Sequence, residues 1–488
     1  LKENIHDQKF LDKYTVGFDK FKEYVMGVED GVPKTPSWAE AITSVPADII
    51  EDLAREYATS KPAALIAGYA AGRTAYGEEY HRAAATLAAI TGNIGIHGGG
   101  AAGFERGPLG IMIGPGLPEG KNPLETSLPS VRGSLDAALR NRTRIHTCRT
   151  WDAILKGKAG GYPGDPKLLY VVATNTLNQF PNINKGIQAL GKLDFIVVHE
   201  QFMTPTAKYA DVLLPVVTNW ERNELARPWL SGPYYIYMNK VIDTMHEAKS
   251  DFEIFCELAT RLGFNYSDKT WDEWIDEVFK TSPDMSKDIP NYEAFKRDGV
   301  YKFKLDKPQI CFKKQIEDPE DNPFPTPSGK IEIYSQRLAE LNNPKLPPVP
   351  KYIETWESVN DPLAKRYPLQ LITIHFLTRA HSNFDNTTWL KQLEKQTVWL
   401  NSTDAHSREI SDGDEVKVFN NRGEVILPAK VTERIMPGVV AIGEGAWYRP
   451  DQTGADRGGC PNVLTKDDYS PGGAWPLNTS LVEVRKEG

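Results

Sequence analysis

The sequence predicts an α/β fold, parallel-sheet units followed by a β-barrel, and three stretches carry that prediction. Residues 168–218 alternate apolar strands with polar loops: LLYVVA, a helix-like segment after Asn175, DFIVVHE, the loop QFMTPT and the short run ADVLLP. Residues 61–95 hold half of a similar unit, with an apolar strand in KPAALIAGYA ending at Gly68, a glycine-bearing loop and an alanine-rich helix stopped by Gly92 and Gly95. Residues 366–488 break into short strands, YPLQLITIHF, QTVWLN, DEVKVFN, EVILPAKVT, GVVAIGEG and TSLVEVRK, with NNRG at 420–423 as a hairpin turn. Closely spaced short strands of this kind suggest a barrel.

Residues 1–60 read as helical. In VPADIIEDLAREYATS, Ile49, Ile50, Leu53 and Tyr57 fall on one face, with Pro46 near the helix start. The strand in KPAALIAGYA reads as buried. Residues 97–150 are rich in Gly and Pro, an irregular stretch long enough to be a lid or a funnel wall. ERNELARPWL leads into a mixed region, roughly 230–350, in which DFEIFCELATRLG is an amphipathic helix. NPKLPPVPKY, 343–352, is a Pro-rich linker and the best domain boundary. The expected organisation is a truncated α/β domain at 1–105, an α/β dinucleotide-binding domain with a funnel loop at 106–265, a mixed connecting region at 266–352 and a barrel domain at 353–488.

Composition narrows the function. The chain has 488 residues, 40% apolar and 25% charged, with a formal net charge of -8. An acidic balance without a basic stripe argues against nucleic acid as a partner. No apolar run approaches the ~18 residues of a membrane span. Cys148, Cys256, Cys311 and Cys460 form no CxxC pair, which argues against an iron–sulfur or zinc site built from them. The chain starts at Leu1 within a helix-like pattern, and the expectation is a fragment whose N-terminal portion, with any targeting signal, lies upstream.

Open α/β sheets bind nucleotides past the carboxyl ends of their strands, so the polar loops there are the candidate sites. TNTLNQFPN offers Asn175, Asn178 and Gln179, whose amides suit phosphate, ribose or a heterocycle edge, or plain turn chemistry. VVHEQFMTPTAKYAD offers His199 and Glu200 at a strand end. Glu200 suits ribose hydroxyls, Thr204 or Thr206 a helix cap and a phosphate, and Asp211 the N–H edge of a guanine. The alternative is a salt bridge and an N-cap. ITIHFLTRAHSNFDN places His375, Thr378, Arg379, His381 and Ser382 just past a strand, where an anion between Arg379 and the two histidines competes with ordinary structural hydrogen bonding. GEGAWYRP and GGCPNVLT add aromatic, glycine and amide residues. Cys460 has no neighbouring His in sequence to make it a nucleophile. Arg73 points either a cation into a cofactor cleft or, more commonly, a side chain into solvent. No GxGxxG is present, so an ordinary nicotinamide-binding domain is not supported.

In order along the chain, AGYAAGRTAYGE, LAAITGNIGIHGGG, VVATNTLNQFPN, VVHEQFMTPTAKYADVLLP, TPSGKIEIYS, GDEVKVFNNRGEV, MPGVVAIGEGAWYRP and GGCPNVLT resemble the molybdopterin guanine dinucleotide oxidoreductases of the dimethyl sulfoxide reductase family. VPADIIEDLAREYATSKPA, NPFPTPSGKIEIYSQ and EGAWYRPD resemble the catalytic A subunits of its anaerobic, membrane-associated members. The resemblance implies Rossmann-like dinucleotide-binding domains followed by a double-psi β-barrel. It implies one molybdenum held by bis(molybdopterin guanine dinucleotide), which reduces dimethyl sulfoxide or a similar S- or N-oxide by oxygen-atom transfer in anaerobic respiration. Electrons would come through a [4Fe–4S] cluster from an iron–sulfur electron-transfer subunit and a quinol-oxidising membrane anchor subunit, at the periplasmic face of the bacterial inner membrane.

By the same resemblance, Asn175, Asn178, Gln179, His199, Glu200, Thr204, Thr206 and Asp211 would cradle one dinucleotide. His375, Thr378, Arg379, His381, Ser382, Asn462, Asn478 and Thr479 would meet the pterins from the barrel. Arg73 would lie near the metal, and Trp151 would face the substrate funnel. The family's cluster motif and its protein ligand to molybdenum would both lie upstream of Leu1, so no metal ligand is expected in these residues, and the chain alone is expected to be inactive. Sibling readings are a selenate, tetrathionate or polysulfide reductase, a hydratase with the same cofactor, and a cofactor-free scaffold of the same fold.

Overall fold

A computed structural model of the protein describes residues 1–66, 68–102, 145–162, 164–226, 234–304, 306–308 and 310–487. Most of the stretch expected as a lid or funnel wall, and the boundary expected at 105/106, lie outside the described residues. The chain forms two compact units: Leu1–Ile111, Leu305–Glu354 and Ser470–Ala474 make the first, and Met112–Lys304, Thr355–Tyr469 and Trp475–Gly488 the second.

The first unit opens with helices Gln8–Tyr14, Phe18–Val25, Pro36–Thr43 and Ala47–Thr59. Thr35 caps the third helix through its hydroxyl, and Pro46 stands at the N-cap of the fourth. Ile49 and Leu53 are helical as their spacing predicts, yet they are 55% and 63% exposed. Periodicity fixes the face of a helix but not what covers it. Ala64–Ile66 pairs in parallel with Gly100–Ala102. The strand expected to be buried is instead open, with Ile66 83% exposed. An apolar run identifies a strand, while its burial needs a second layer over each face. Helix Gly77–Ile90 packs Ala88 and Ala89 against Phe10, Ile94 and Ala101, the small core of this unit.

The second unit holds a three-stranded parallel sheet, β1 (Leu168–Val171), β2 (Phe195–Glu200) and β3 (Val212–Pro215), in that order. Between β1 and β2 run the turn Thr176–Gln179 and the helix Ile183–Leu190, whose N-cap Asn182 accepts from Lys185 N–H. A small antiparallel sheet follows, β4 (Glu224–Ala226), β5 (Tyr234–Met238) and β6 (Val300–Lys302). The amphipathic helix predicted near 251 spans Asp251–Arg261 and starts with a capping box between Ser250 and Glu253.

Every strand expected after residue 366 forms: β7 (Leu369–Ile374), β8 (Val398–Leu400), β9 (Glu415–Phe419), β10 (Glu424–Val431), β11 (Val439–Gly443) and β12 (Ser480–Lys486). They close into a six-stranded barrel in the order β7-β11-β8-β10-β9-β12, and β12 pairs back onto β7. β7/β11 and β8/β10 pair in parallel and the other four pairs are antiparallel, consistent with the expected double-psi barrel. The NNRG turn joins β9 to β10, with Asn420 N–H donating to Gly423 O at 3.1 Å. Alternation sets the inside of the barrel: in β9, Val416 and Val418 are fully buried, while Glu415 is exposed. Each such buried Val or Leu stabilises the fold by roughly 1.5–3 kcal/mol. Barrel and parallel sheet share one core, in which Trp151, Leu177, Ile183 and Val198 are continuous with Leu371, Leu400, Val425 and Val482.

Candidate functional site

The site lies in the second unit, where the loops past β1 and β2 meet the loops past β7 and β11. Asn178 is the hinge pin of this meeting. Its Nδ2 donates to Ala446 O at 3.1 Å, and its Oδ1 accepts from Tyr448 N–H at 2.8 Å. Asn462 answers from the other side, its Nδ2 donating to Asn178 O at 3.0 Å and Gln179 O at 2.9 Å, while its Oδ1 accepts from the Thr465 hydroxyl. Both side chains are buried, so each bond is made away from water and would be costly to lose. TNTLNQFPN, GEGAWYRP and GGCPNVLT are thus one structure, a joining that the sequence reading did not anticipate.

The neighbouring candidates tie the loops past β1 and β2 together. Asn175 Oδ1 accepts from the Thr206 hydroxyl at 2.8 Å, Thr206 Oγ1 accepts from Leu177 N–H at 2.9 Å, and Asn175 Nδ2 reaches Ser382 Oγ at 3.4 Å. Thr204 donates to Glu200 Oε2 at 3.3 Å and accepts from Ala207 N–H at 3.3 Å, at the entry to the turn Ala207–Tyr209. Asp211 Oδ2 accepts from Ile196 N–H at 2.7 Å, in a residue that is exposed. His199 is buried between Tyr170 and Asp251: Nδ1 donates to Asp251 Oδ1 and Nε2 meets the Tyr170 hydroxyl, each at 2.8 Å. It joins β2 to the helix Asp251–Arg261, a structural duty. Trp151 is fully buried, its indole N–H donating to Pro181 O at 2.9 Å.

On the barrel side, Arg379 does not reach for an anion between the histidines. Its guanidinium is buried, and three of its five N–H donors go to Asp385 Oδ1 (3.0 Å), Gln396 Oε1 (2.6 Å) and Glu444 O (3.1 Å), over the ring of Phe376. Burial pushes its pKa down, and Asp385 opposes the shift. His375 and His381 stand exposed, and both place Nδ1 on Glu444 Oε1, at 2.8 and 3.0 Å. Thr378 lies between them on the same loop, partly exposed. Asn478 Oδ1 accepts from the Thr373 N–H (2.8 Å) and hydroxyl (2.9 Å), fixing the entry to β12, and Thr479 is buried beside it. Arg73 sits exposed in the first unit, at the end of the turn Ala70–Arg73.

Three acidic residues were missed in the sequence. Asp456 is fully buried and accepts the backbone N–H groups of Arg449, Gly458, Gly459 and Cys460. Asp385 pins Arg379, and Glu444 gathers the histidines. Asp456 stands in ADRGGC with no pattern around it, and only the glycines beside it hinted at a tight backbone shell. Cys460 is fully enclosed, and burial pushes its thiol well up, so it is inert as a nucleophile. Among the described residues no group of three His, Cys, Asp or Glu is placed to hold a metal ion.

Exposed or partly exposed polar residues of the loops past β1 and β7 include Gln179, Thr378, His375 and His381, whereas Asp211 stands at the other end of the parallel strands, beside Ile196 at the start of β2. Close packing of glycine shapes the loop past β7. A Cβ on Gly445, at φ +85°, would come within 1.6 Å of His381 O. A rim of neutral and acidic hydrogen-bonding groups over a buried polar frame fits a large, many-sided polar organic ligand.

Comparison with known proteins agrees. Residues 36–261 match the family model for molybdopterin oxidoreductase, and residues 369–477 match that for the molydopterin dinucleotide binding domain. Dimethyl sulfoxide reductase DmsA of Escherichia coli is 40% identical over 521 aligned residues, covering 100% of this chain and 62% of that protein. Trimethylamine-N-oxide reductase 1 of the same organism is 35% identical, covering 99% of this chain and 60% of its own length. The chain thus spans about three-fifths of these relatives. The solved structure of acetylene hydratase from Pelobacter acetylenicus shares the fold, with a TM-score of 0.74 at 22% identity over 100% of this chain and 68% of that one.

Proposed function

The chain belongs to the molybdopterin oxidoreductases of the dimethyl sulfoxide reductase family, and from that premise we propose that it serves in the reduction of dimethyl sulfoxide or a similar S- or N-oxide by oxygen-atom transfer. The observation that supports this most directly is the joining of the Asn178 loop to the Ala446–Tyr448 and Asn462 segments, because it builds a single polar frame from residues that both family models cover. The substrate class rests on relatives named for a sulfoxide and for an amine N-oxide.

The cofactor implied is bis(molybdopterin guanine dinucleotide), which when bound supplies a two-electron metal centre able to exchange an oxygen atom with the substrate. The chain's own residues bind and orient it. Gln179, Thr378, Ser382, His375 and His381 offer the contacting groups. Asn175, Asn178, Thr206, Asn462 and Asn478 hold the loops that carry them, and Thr204, Glu200 and Thr479 brace the same loops. Asp211 Oδ1 suits the N1–H and N2–H edge of guanine, which selects that base over a pyrimidine. The proposal extends to the respiratory setting: an iron–sulfur subunit delivering electrons, a membrane anchor, a [4Fe–4S] cluster outside these residues and a periplasmic location. Among the described residues no helix is long and apolar enough to cross a membrane.

The chain, produced in a bacterium that makes the cofactor, tests this reading by its bound pterin and nucleotide. Oxidative release of a fluorescent pterin together with GMP is the expected result. Absence of pterin, or release of CMP, would overturn it. Reduced-viologen oxidation by dimethyl sulfoxide and trimethylamine N-oxide, measured on the complex assembled with its electron-transfer subunit, then ranks the substrates.

A further inference from the structure

We propose that Glu444 is a positioning residue that locks His375 and His381 in one tautomer, Nδ1–H inward and Nε2 outward, so that the pair presents two hydrogen-bond acceptors to a ring N–H edge of the bound heterocycle. The geometry carries it. One oxygen, Glu444 Oε1, stands 2.8 Å from His375 Nδ1 as an ion-pair contact and hydrogen-bonds His381 Nδ1 at 3.0 Å. An ionised carboxylate is acceptor-only, so the hydrogen bond places the His381 hydrogen on Nδ1, and the close contact favours the same for His375. In a neutral ring the remaining nitrogen, Nε2, then carries the free lone pair. The rings lie 5.8 Å apart at 53° and are exposed, with side chains 84% and 80% accessible, whereas Glu444 is 24% accessible.

The hub is tied into the fold, and the arms are exposed. Glu444 N–H donates to Ile374 O at 2.8 Å, and Glu444 O accepts from the buried Arg379 Nε at 3.1 Å. Gly445 follows in the left-handed region, and its backbone closes against the carbonyl of His381, which itself holds φ +52°. Such backbone conformations persist where surrounding structure enforces them, often at ligand-binding sites. The other charges nearby are committed: Arg379 and Lys391 to Asp385, and Glu394 to Leu377 N–H. Arg379 is buried and tied to Asp385, Gln396 and Glu444 O, so this loop exposes no guanidinium of the kind a phosphate site would use, which favours a heterocycle edge over a phosphate as the partner of this pair.

This inference rests on the cofactor reading for the identity of the ligand, but not for the tautomer, and the test separates the two. Selective 15N-histidine NMR of the full chain reads the tautomer of each ring, assigned by His375→Gln and His381→Gln among nine histidines. Both rings are expected as Nδ1–H in the native chain, and Glu444→Leu, which removes both acceptor oxygens, should convert at least one ring to Nε2–H. An Nε2–H ring in the native chain, or unchanged tautomers in the variant with an unchanged melting temperature, would overturn the proposal. If Glu444→Leu does not fold, Glu444→Asp serves, with partial conversion expected. Titration with a tetrahydropterin and, separately, with inorganic diphosphate probes the ligand edge. Nε2 shifts with the pterin support the heterocycle, and shifts with diphosphate alone overturn it. Retained pterin per chain should fall at least threefold in Glu444→Leu and recover in part in Glu444→Asp. A native chain without pterin would sink the cofactor reading while leaving the tautomer result standing.

Discussion

Replacing Asp456 by Asn would measure what one buried carboxylate does for the loop that carries Tyr448 and Cys460. Oδ1 accepts from Arg449 N–H (2.7 Å) and Gly458 N–H (2.8 Å), and Oδ2 from Gly459 N–H (3.0 Å) and Cys460 N–H (2.6 Å). Four inward-facing donors require the ionised form, even though burial pushes this carboxyl above its ordinary value. An Asn amide keeps one oxygen and turns an NH2 toward two of the donors. Two hydrogen bonds to a charged acceptor contribute roughly 1.5–3 kcal/mol each, so the gross loss is about 3–6 kcal/mol. Removing a buried charge returns part of that, leaving a net loss of about 2–5 kcal/mol. At no more than about 2–4 °C per kcal/mol, the value for 150–250 residues, the melting temperature should fall by up to roughly 4–20 °C. Calorimetry and urea unfolding of the full chain measure it, and Asp456→Ala, which strands all four donors, should be worse. A change of less than about 1 kcal/mol in Asp456→Asn would refute the claim that these bonds organise the loop.

Asn178→Ala should lose about 2–3 kcal/mol, from two buried hydrogen bonds, and lower pterin retention because Ala446 and Tyr448 are released; urea unfolding and pterin release on one preparation check both. Gly445→Ala should destabilise by at least ~1 kcal/mol, since it combines a left-handed φ with a clash on His381 O, and equal melting temperatures would count against this. Trp151→Ala should cost about 3–5 kcal/mol through a cavity in the shared core, visible as a lowered urea midpoint. Asp152 is buried beside Lys185 and Lys156; burial pushes its carboxyl up, but the two ammonium groups outweigh burial and hold it below the usual range. A carboxyl lowered in the folded state contributes fully above its unfolded value of about 4 and loses that contribution as pH falls through the folded value. Asp152→Asn should therefore be less stable than the native chain at pH 7, and the gap should shrink toward pH 3.

The barrel was legible because its strands alternate: Val416 and Val418 in β9 and Val482 and Val484 in β12 could face only inward. The parallel unit was legible because strand, polar loop and helix recur at fixed spacing. Burial of unpartnered faces was not, as Ile49, Leu53 and Ile66 show, since a sequence states what a face prefers and not whether another layer exists. The candidate loops were found by their polar residues, but the division of labour within them was hidden. His199 looked like a ligand contact and is held by Asp251, 52 positions away. Arg379 looked like an anion fork and is held by Asp385 and Gln396. Polar side chains near a site divide into those that shape it and those that face outward, and only distances between remote residues separate the two groups.

β12 pairs with β7 on one side and β9 on the other, and its register with β7 joins Leu369 to Val482. During synthesis the barrel therefore cannot close until Ser480–Lys486 has left the ribosome. Until then β7 and β9 each carry a bare edge, and such edges are templates for pairing between chains. A premature stop before residue 480 would leave that state permanent. It would produce an aggregating polypeptide rather than a slightly shorter protein, although no group of the candidate site's exposed rim lies in the lost strand.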